Sequence, residues 1–133
     1  MIFVDSSIPM YLVGGPHAHK TDAQILVERC IAAGERIVTS AEVLQEILHY
    51  YIVRDRRDAI APAVQALLGM VDEILPIDKQ DVLRASEIVR KAARLSARDA
   101  LHLAVMERHG IERILSFDAH FDDWPGVTRI HSV

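Results

Sequence analysis

A chain of 133 residues, half of them hydrophobic, is long enough for one domain with a core of its own and needs no covalent staple. Aromatic residues make up only 5 %, so that core is aliphatic, and a formal charge of −4 argues against a protein that holds nucleic acid by net charge alone. The lone cysteine, Cys30, lies in an apolar helical context and implies a buried thiol and a reducing, cytoplasmic setting.

The first residues, Met-Ile-Phe-Val-Asp, lack a basic leader, and no apolar run approaches the ~18 residues of a membrane span, so no membrane partner is expected. The β-branched and aromatic run Ile2–Val4 reads as a strand. Gly14-Gly15-Pro16 breaks the chain, and a helix is expected from Thr21 to Ala33, capped by Thr21 or Asp22 and stopped by Gly34. Arg36–Thr39 is a second strand. Ser40 caps a helix running to about Val53, and another follows from Asp58 to Leu68. Glu73–Pro76 is a third strand, and Asp78 starts a helix reaching about Leu95. Ser96 starts the next, to His109, with Gly110 as its stop. Arg113–Ser116 is a fourth strand and Thr128–Ile130 a fifth, at an edge. This alternation predicts a single domain over residues 1–133, a three-layer α/β/α sandwich with a mostly parallel central sheet. Ligands in such folds gather at the carboxyl ends of strands.

Two aspartates fall there. Asp5 follows the first strand, and Asp118 lies just past the fourth, in the acidic stretch ending Asp122-Asp123. Each could equally be a turn or cap residue. Asp99 falls on a helix whose Ala100, Leu101, Leu103, Ala104, Val105 and Met106 surround the axis, so the helix is central and Asp99 lies on an apolar side. A carboxylate there needs a partner. Ser96-Ala97-Arg98-Asp99 offers one as a capping box, and a cation is the other; both stay open. Glu46 borders the apolar stripe Val43, Leu44, Ile47, Leu48, Tyr51, while Glu42 is expected to face solvent. If these acids converge, carboxylates ~5 Å apart repel by roughly 3 kcal/mol per pair at an effective dielectric near 20, and a cation must offset that. Oxygen ligands favour Mg²⁺ or Mn²⁺ over zinc, and such a site suits phosphodiester hydrolysis. The seven histidines show no zinc spacing and read as surface or packing residues, with His102 near the core. No phosphate-binding glycine loop is present. Basic residues cluster locally, at Arg54, Arg56 and Arg57 and at Arg90, Lys91, Arg94 and Arg98.

The order strand–Asp5-Ser6-Ser7, Thr39-Ser40 leading to Glu46, Arg98-Asp99-Ala100-Leu101-His102-Leu103-Ala104 and Ile114-Leu115-Ser116-Phe117-Asp118 resembles a PIN domain of the toxin kind found in bacterial toxin–antitoxin pairs. The resemblance spans essentially the whole chain, with serine at 116 where threonine is commoner. It implies a four-acid site of Asp5, Glu46, Asp99 and Asp118, with Asp5 and Asp99 as principal Mg²⁺ or Mn²⁺ ligands, Asp118 as a direct or water-mediated ligand, Glu46 completing the site, and Asp122 as a fifth candidate. It further implies cleavage of structured RNA such as tRNA, silencing by a cognate antitoxin, and a homodimer; the two-helix segment Ser40–Leu68 is a candidate for its surface, which the resemblance does not specify. The alternatives are a nuclease for RNA processing or for DNA on the same scaffold, and a non-catalytic binding module whose acids are caps and surface charges.

Overall fold

The computed structural model describes residues 1–132. Five strands form one sheet, β1 (Ile2–Val4), β2 (Ile37–Ser40), β3 (Glu73–Leu75), β4 (Arg113–Leu115) and β5 (Thr128–Ile130), in the order β3-β2-β1-β4-β5. Every pairing is parallel, with Phe3 opposite Val38 on one side and Ile114 on the other. A parallel sheet covered on both faces wants unbroken apolar strands. The centre obeys: Ile2, Phe3, Val4, Ile114 and Leu115 are fully buried.

Six helices connect the strands: α1 (Ser7–Val13), α2 (Ala18–Ala32), α3 (Ala41–Val53), α4 (Ile60–Met70), α5 (Lys79–Lys91) and α6 (Ala97–Arg108). The chain steps from β1 outward to β3, then crosses back to β4. Right-handed crossovers therefore put α1–α4 on one face and α5–α6 on the other. The three-layer sandwich follows, and the direction of travel reverses between β1 and β4, where the carboxyl ends open a crevice.

Three segments differ from expectation. The segment after Asp5, to which the sequence assigns no element, forms α1, since Pro9 falls in the first turn where its missing N–H costs nothing. The next helix begins at Ala18 instead of Thr21, because the His17 ring accepts the His19 N–H and caps it earlier. Helix α5 stops at Lys91, short of Leu95; Leu95 is buried, and the turn that buries it delivers Ser96 to cap α6.

α5 and α6 are joined by a polar clasp. Asp78 and Asp81 form a capping box at the start of α5, and Arg108 at the end of α6 donates from Nε and Nη2 to the two Asp81 oxygens, both at 2.8 Å. Burial alone would raise the Asp81 pKa, but Arg108 and the Asp78 N–H outweigh it and hold the carboxyl below its ordinary range. With Asp81 buried and Arg108 about one-third exposed, Arg108→Leu is expected to lower the urea midpoint, because it leaves the Asp81 carboxylate without its cation. Urea denaturation near neutral pH measures this; an unchanged midpoint would show that the clasp contributes nothing.

Candidate active site

Asp5, at the end of β1, is the most tightly held acid in the crevice. Its Oδ1 accepts the Ser7 N–H at 3.0 Å and the Ser7 hydroxyl at 2.6 Å, while Oδ2 accepts the Ser116 hydroxyl at 2.5 Å from the end of β4. The same Ser116 oxygen accepts the Asp118 N–H at 2.9 Å. One hydroxyl thus ties the two strand-end acids together, and serine does this as well as threonine would. Burial raises the Asp5 pKa from 3.8 to about 6; the two serine hydrogen bonds pull it down only in part.

Asp99 lies in the first turn of α6 and is buried. The capping box is formed: the Asp99 N–H donates to Ser96 Oγ at 3.1 Å, and Asp99 Oδ2 accepts the Ser96 N–H at 3.5 Å. Burial, followed by the charge of Asp118, raises the Asp99 pKa. Asp118 accepts the His120 N–H at 2.9 Å and caps a short 3-10 helix, Ala119–Asp123. Asp99, Asp118 and His120 each offer a ligand atom, all within 4.8 Å of one another.

Glu46, on α3, completes the group. Its carboxylate accepts the Ser6 hydroxyl at 3.2 Å and a hydrogen bond from Nε2 of His102, a ring buried in α6. Burial by itself would lower the His102 pKa, but Glu46, Asp5 and Asp99 together carry it upward. The imidazole Nε2 faces Glu46, and the three acids around the ring favour its charged form. Glu42 does not face solvent as expected: it is half-buried, one turn before Glu46, and desolvation raises its pKa.

The structure thus gathers Asp5, Glu46, Asp99 and Asp118 at one end of the sheet. Asp122 is engaged elsewhere, accepting Arg129 Nε and Nη2 at 3.0 and 2.9 Å. Sequence reasoning missed His102 and His120. Their only signal was position, His102 three residues after Asp99 on the same helix and His120 two residues after Asp118. It also missed Ser6, Ser7 and Ser116, whose roles rest on contacts between distant segments.

A family model described as PIN domain matches residues 2–126. The chain is 56 % identical to ribonuclease VapC13 of Mycobacterium tuberculosis over 130 residues, 98 % of this chain and 99 % of that protein. It belongs to the PIN-domain family and, within it, to the VapC ribonucleases. Among solved structures, VapC20 of M. tuberculosis, described as a sarcin-ricin loop cleaving toxin, superposes with a TM-score of 0.74 at 29 % identity, over 92 % of this chain and 93 % of that one. VapBC2 of Rickettsia felis, solved with a fragment of promoter DNA, shares the fold at the same TM-score of 0.74 and 14 % identity, over 98 % of each chain.

The charge crowding of this PIN domain has a thermodynamic sign. Between pH 4 and pH 6 the folded protein keeps the Asp5 proton that the unfolded chain has released, so metal-free stability falls as pH rises through that window. Asp5→Asn removes the contribution of Asp5 to that dependence. In EDTA at neutral pH the variant is expected to be more stable than the parent by about 2 kcal/mol, with the difference vanishing towards pH 4. Urea denaturation across the pH range tests this, and a variant less stable than the parent at neutral pH would refute it.

Proposed function

We propose that this VapC-family protein is a divalent-metal-dependent endoribonuclease, acting as the toxin of a toxin–antitoxin pair and cutting structured RNA such as tRNA. The observation that carries the catalytic reading is the meeting of Asp5, Glu46, Asp99 and Asp118 in a crevice where burial and like charge raise the pKa of two of them. Donor atoms within 4.8 Å at Asp99, Asp118 and His120 suit one small cation, and roughly 3 kcal/mol of repulsion per pair of close carboxylates favours binding one.

Asp5, Asp99 and Asp118 would hold the ion, with His120 within reach as a nitrogen ligand; oxygen-rich donors of this kind fit Mg²⁺ or Mn²⁺. When bound, such an ion neutralises the scissile phosphate, polarises it and makes water a better nucleophile. The chain's own groups do the positioning. Ser7 and Ser116 fix both oxygens of Asp5, and the Ser96 capping box fixes the rotamer of Asp99. Glu46, clamped by Ser6 and His102, is placed to orient water and take its proton. Asp122, occupied by Arg129, is the weakest candidate for a ligand.

The toxin reading rests on relatives named as VapC ribonucleases and on neighbours solved as toxin–antitoxin complexes, so a cognate antitoxin is the expected protein partner. A homodimer is in keeping with apolar residues left exposed on α3 and α4, namely Leu48, Ile52, Val53 and Leu68. All four lie in the Ser40–Leu68 segment.

Asp99→Asn is expected to lower RNA cleavage by at least about 100-fold while the circular dichroism spectrum is retained, and excess EDTA to abolish cleavage reversibly. Calorimetry with Mn²⁺ separates the binding-module alternative: a site lost in Asp5→Asn supports the nuclease. Full cleavage in EDTA, or no Mn²⁺ binding by the parent protein, would overturn it.

A further inference from the structure

A cavity opens one helical turn along α1 from Ser7, the residue that clamps Asp5. It encloses about 400 Å³ between the end of α1, the loop that follows and the end of α3, and Tyr11, His17, Tyr50, Tyr51, Arg54 and Arg56 line it. That volume is in the range of small-ligand sites.

Its walls are aromatic faces and guanidinium groups. Tyr50 is held edge-on by Tyr51, at 5.1 Å between centroids, and the Arg54 guanidinium lies 3.6 Å from the Tyr50 ring centre. Arg54 spends one N–H on the Tyr50 carbonyl and makes no ion pair among the described residues, so the rest of its donor fork is free. Arg56 pairs only with Asp58, at the surface. Three arginines face two aspartates in the turn from Arg54 to Asp58, which makes it locally basic in a chain of net charge −4.

The cavity is also wired to the acids. Tyr11 lies one helical turn after Ser7 on the same face of α1, about 6 Å along the axis, and Ser7 is the residue that clamps Asp5. Tyr11 meets the Phe117 ring edge-on at 5.4 Å, and Phe117 precedes Asp118. His19 stacks on Phe117 at 4.2 Å, continuing the aromatic surface towards the acids.

We infer that this cavity is a nucleotide subsite, taking an unpaired base of the RNA near the scissile phosphate, with the Tyr50 ring, one face of which carries Arg54, as part of an aromatic wall and the free N–H groups of Arg54 as a phosphate contact. The inference rests on the ribonuclease reading and names where its substrate is held. Aromatic stacking accepts any base, and an arginine alongside supplies the phosphate contact that the acidic end of the sheet denies. A peptide of the antitoxin is the competing occupant; it would use the apolar wall but has no need of an unpaired guanidinium among tyrosine rings.

The test is steady-state cleavage of a labelled RNA oligonucleotide spanning a cleavage site mapped in total cellular RNA. Arg54→Glu and Tyr50→Leu are each expected to raise KM about tenfold, while Tyr50→Phe, which keeps the ring, stays near the parent value. The drop in kcat should be less than about threefold, since these groups bind without touching the reacting atoms. The salt dependence of kcat/KM should become shallower in Arg54→Glu. Unchanged KM in both variants overturns the inference, as does a KM rise matched by a loss of melting temperature. Variants that escape inhibition by the antitoxin but cleave RNA normally would make the cavity a peptide site and also overturn it. If the parent protein cuts no RNA, the ribonuclease reading falls separately. Fluorescence anisotropy with the same oligonucleotide then judges the cavity, and equal binding by parent and Arg54→Glu refutes it.

Discussion

A carboxylate taken out of water among other carboxylates is the constraint around which this molecule is organised. Asp5 ends the central strand, flanked by β2 and β4, and is buried with its pKa raised to about 6. The sheet leaves it little choice: β1 is the middle of five strands, and its carboxyl end lies where the winding reverses. Everything that reaches that end inherits the electrostatic problem. Ser7 and Ser116 contribute hydrogen bonds to Asp5, and the His102 ring is held against Glu46. Acids with no such task would have been repelled to solvent, as most carboxylates are.

The contest between cap residue and site residue dissolves in the structure. Asp5, Asp99 and Asp118 each accept a backbone N–H at the start of a helix, from Ser7, Ser96 and His120. The hydrogen bond that makes an aspartate a good cap also locks its rotamer, and a locked rotamer is what a metal ligand needs. Helix starts in a doubly wound fold lie at the carboxyl ends of strands. Capping therefore delivers oriented carboxylates to the crevice at no extra structural cost.

That explains what could be read from the sequence and what could not. Strand ends and helix starts are local, so the five strands, the parallel sandwich and the positions of Asp5, Asp99 and Asp118 were legible from periodicity and punctuation. Glu46 was legible only as a residue at the border of a stripe. Glu42, at the same border, was misjudged because its burial depends on α6 packing against α3, which no local pattern encodes. Helix α1 went unassigned because it is only seven residues long, with Pro9 in its first turn where a proline fits. His102 and His120 were hidden more deeply. A histidine on an apolar face is usually a packing residue, and only the arrival of Glu46 and Asp99 from other segments turns these two into a counter-charge and a possible ligand.

An acidic pocket that must handle a polyanion sets a second problem, and the distribution of charge addresses it. The net charge of −4 repels RNA at long range, so attraction has to come from places where cations are left unpaired. Many of the arginines are committed to the fold: Arg108 to Asp81, Arg84 to Glu87 and Glu107, Arg113 to Glu35, Arg129 to Asp122. Arg54 is not committed in this way, and it stands at the lip of an aromatic cavity that leads through Tyr11 and Phe117 to the acids. An ion at the carboxylates and a guanidinium at the cavity would place positive charge at two points along one bound strand. Binding and chemistry then share a short stretch of RNA backbone, and the negative remainder of the surface favours release of any strand that does not fill both.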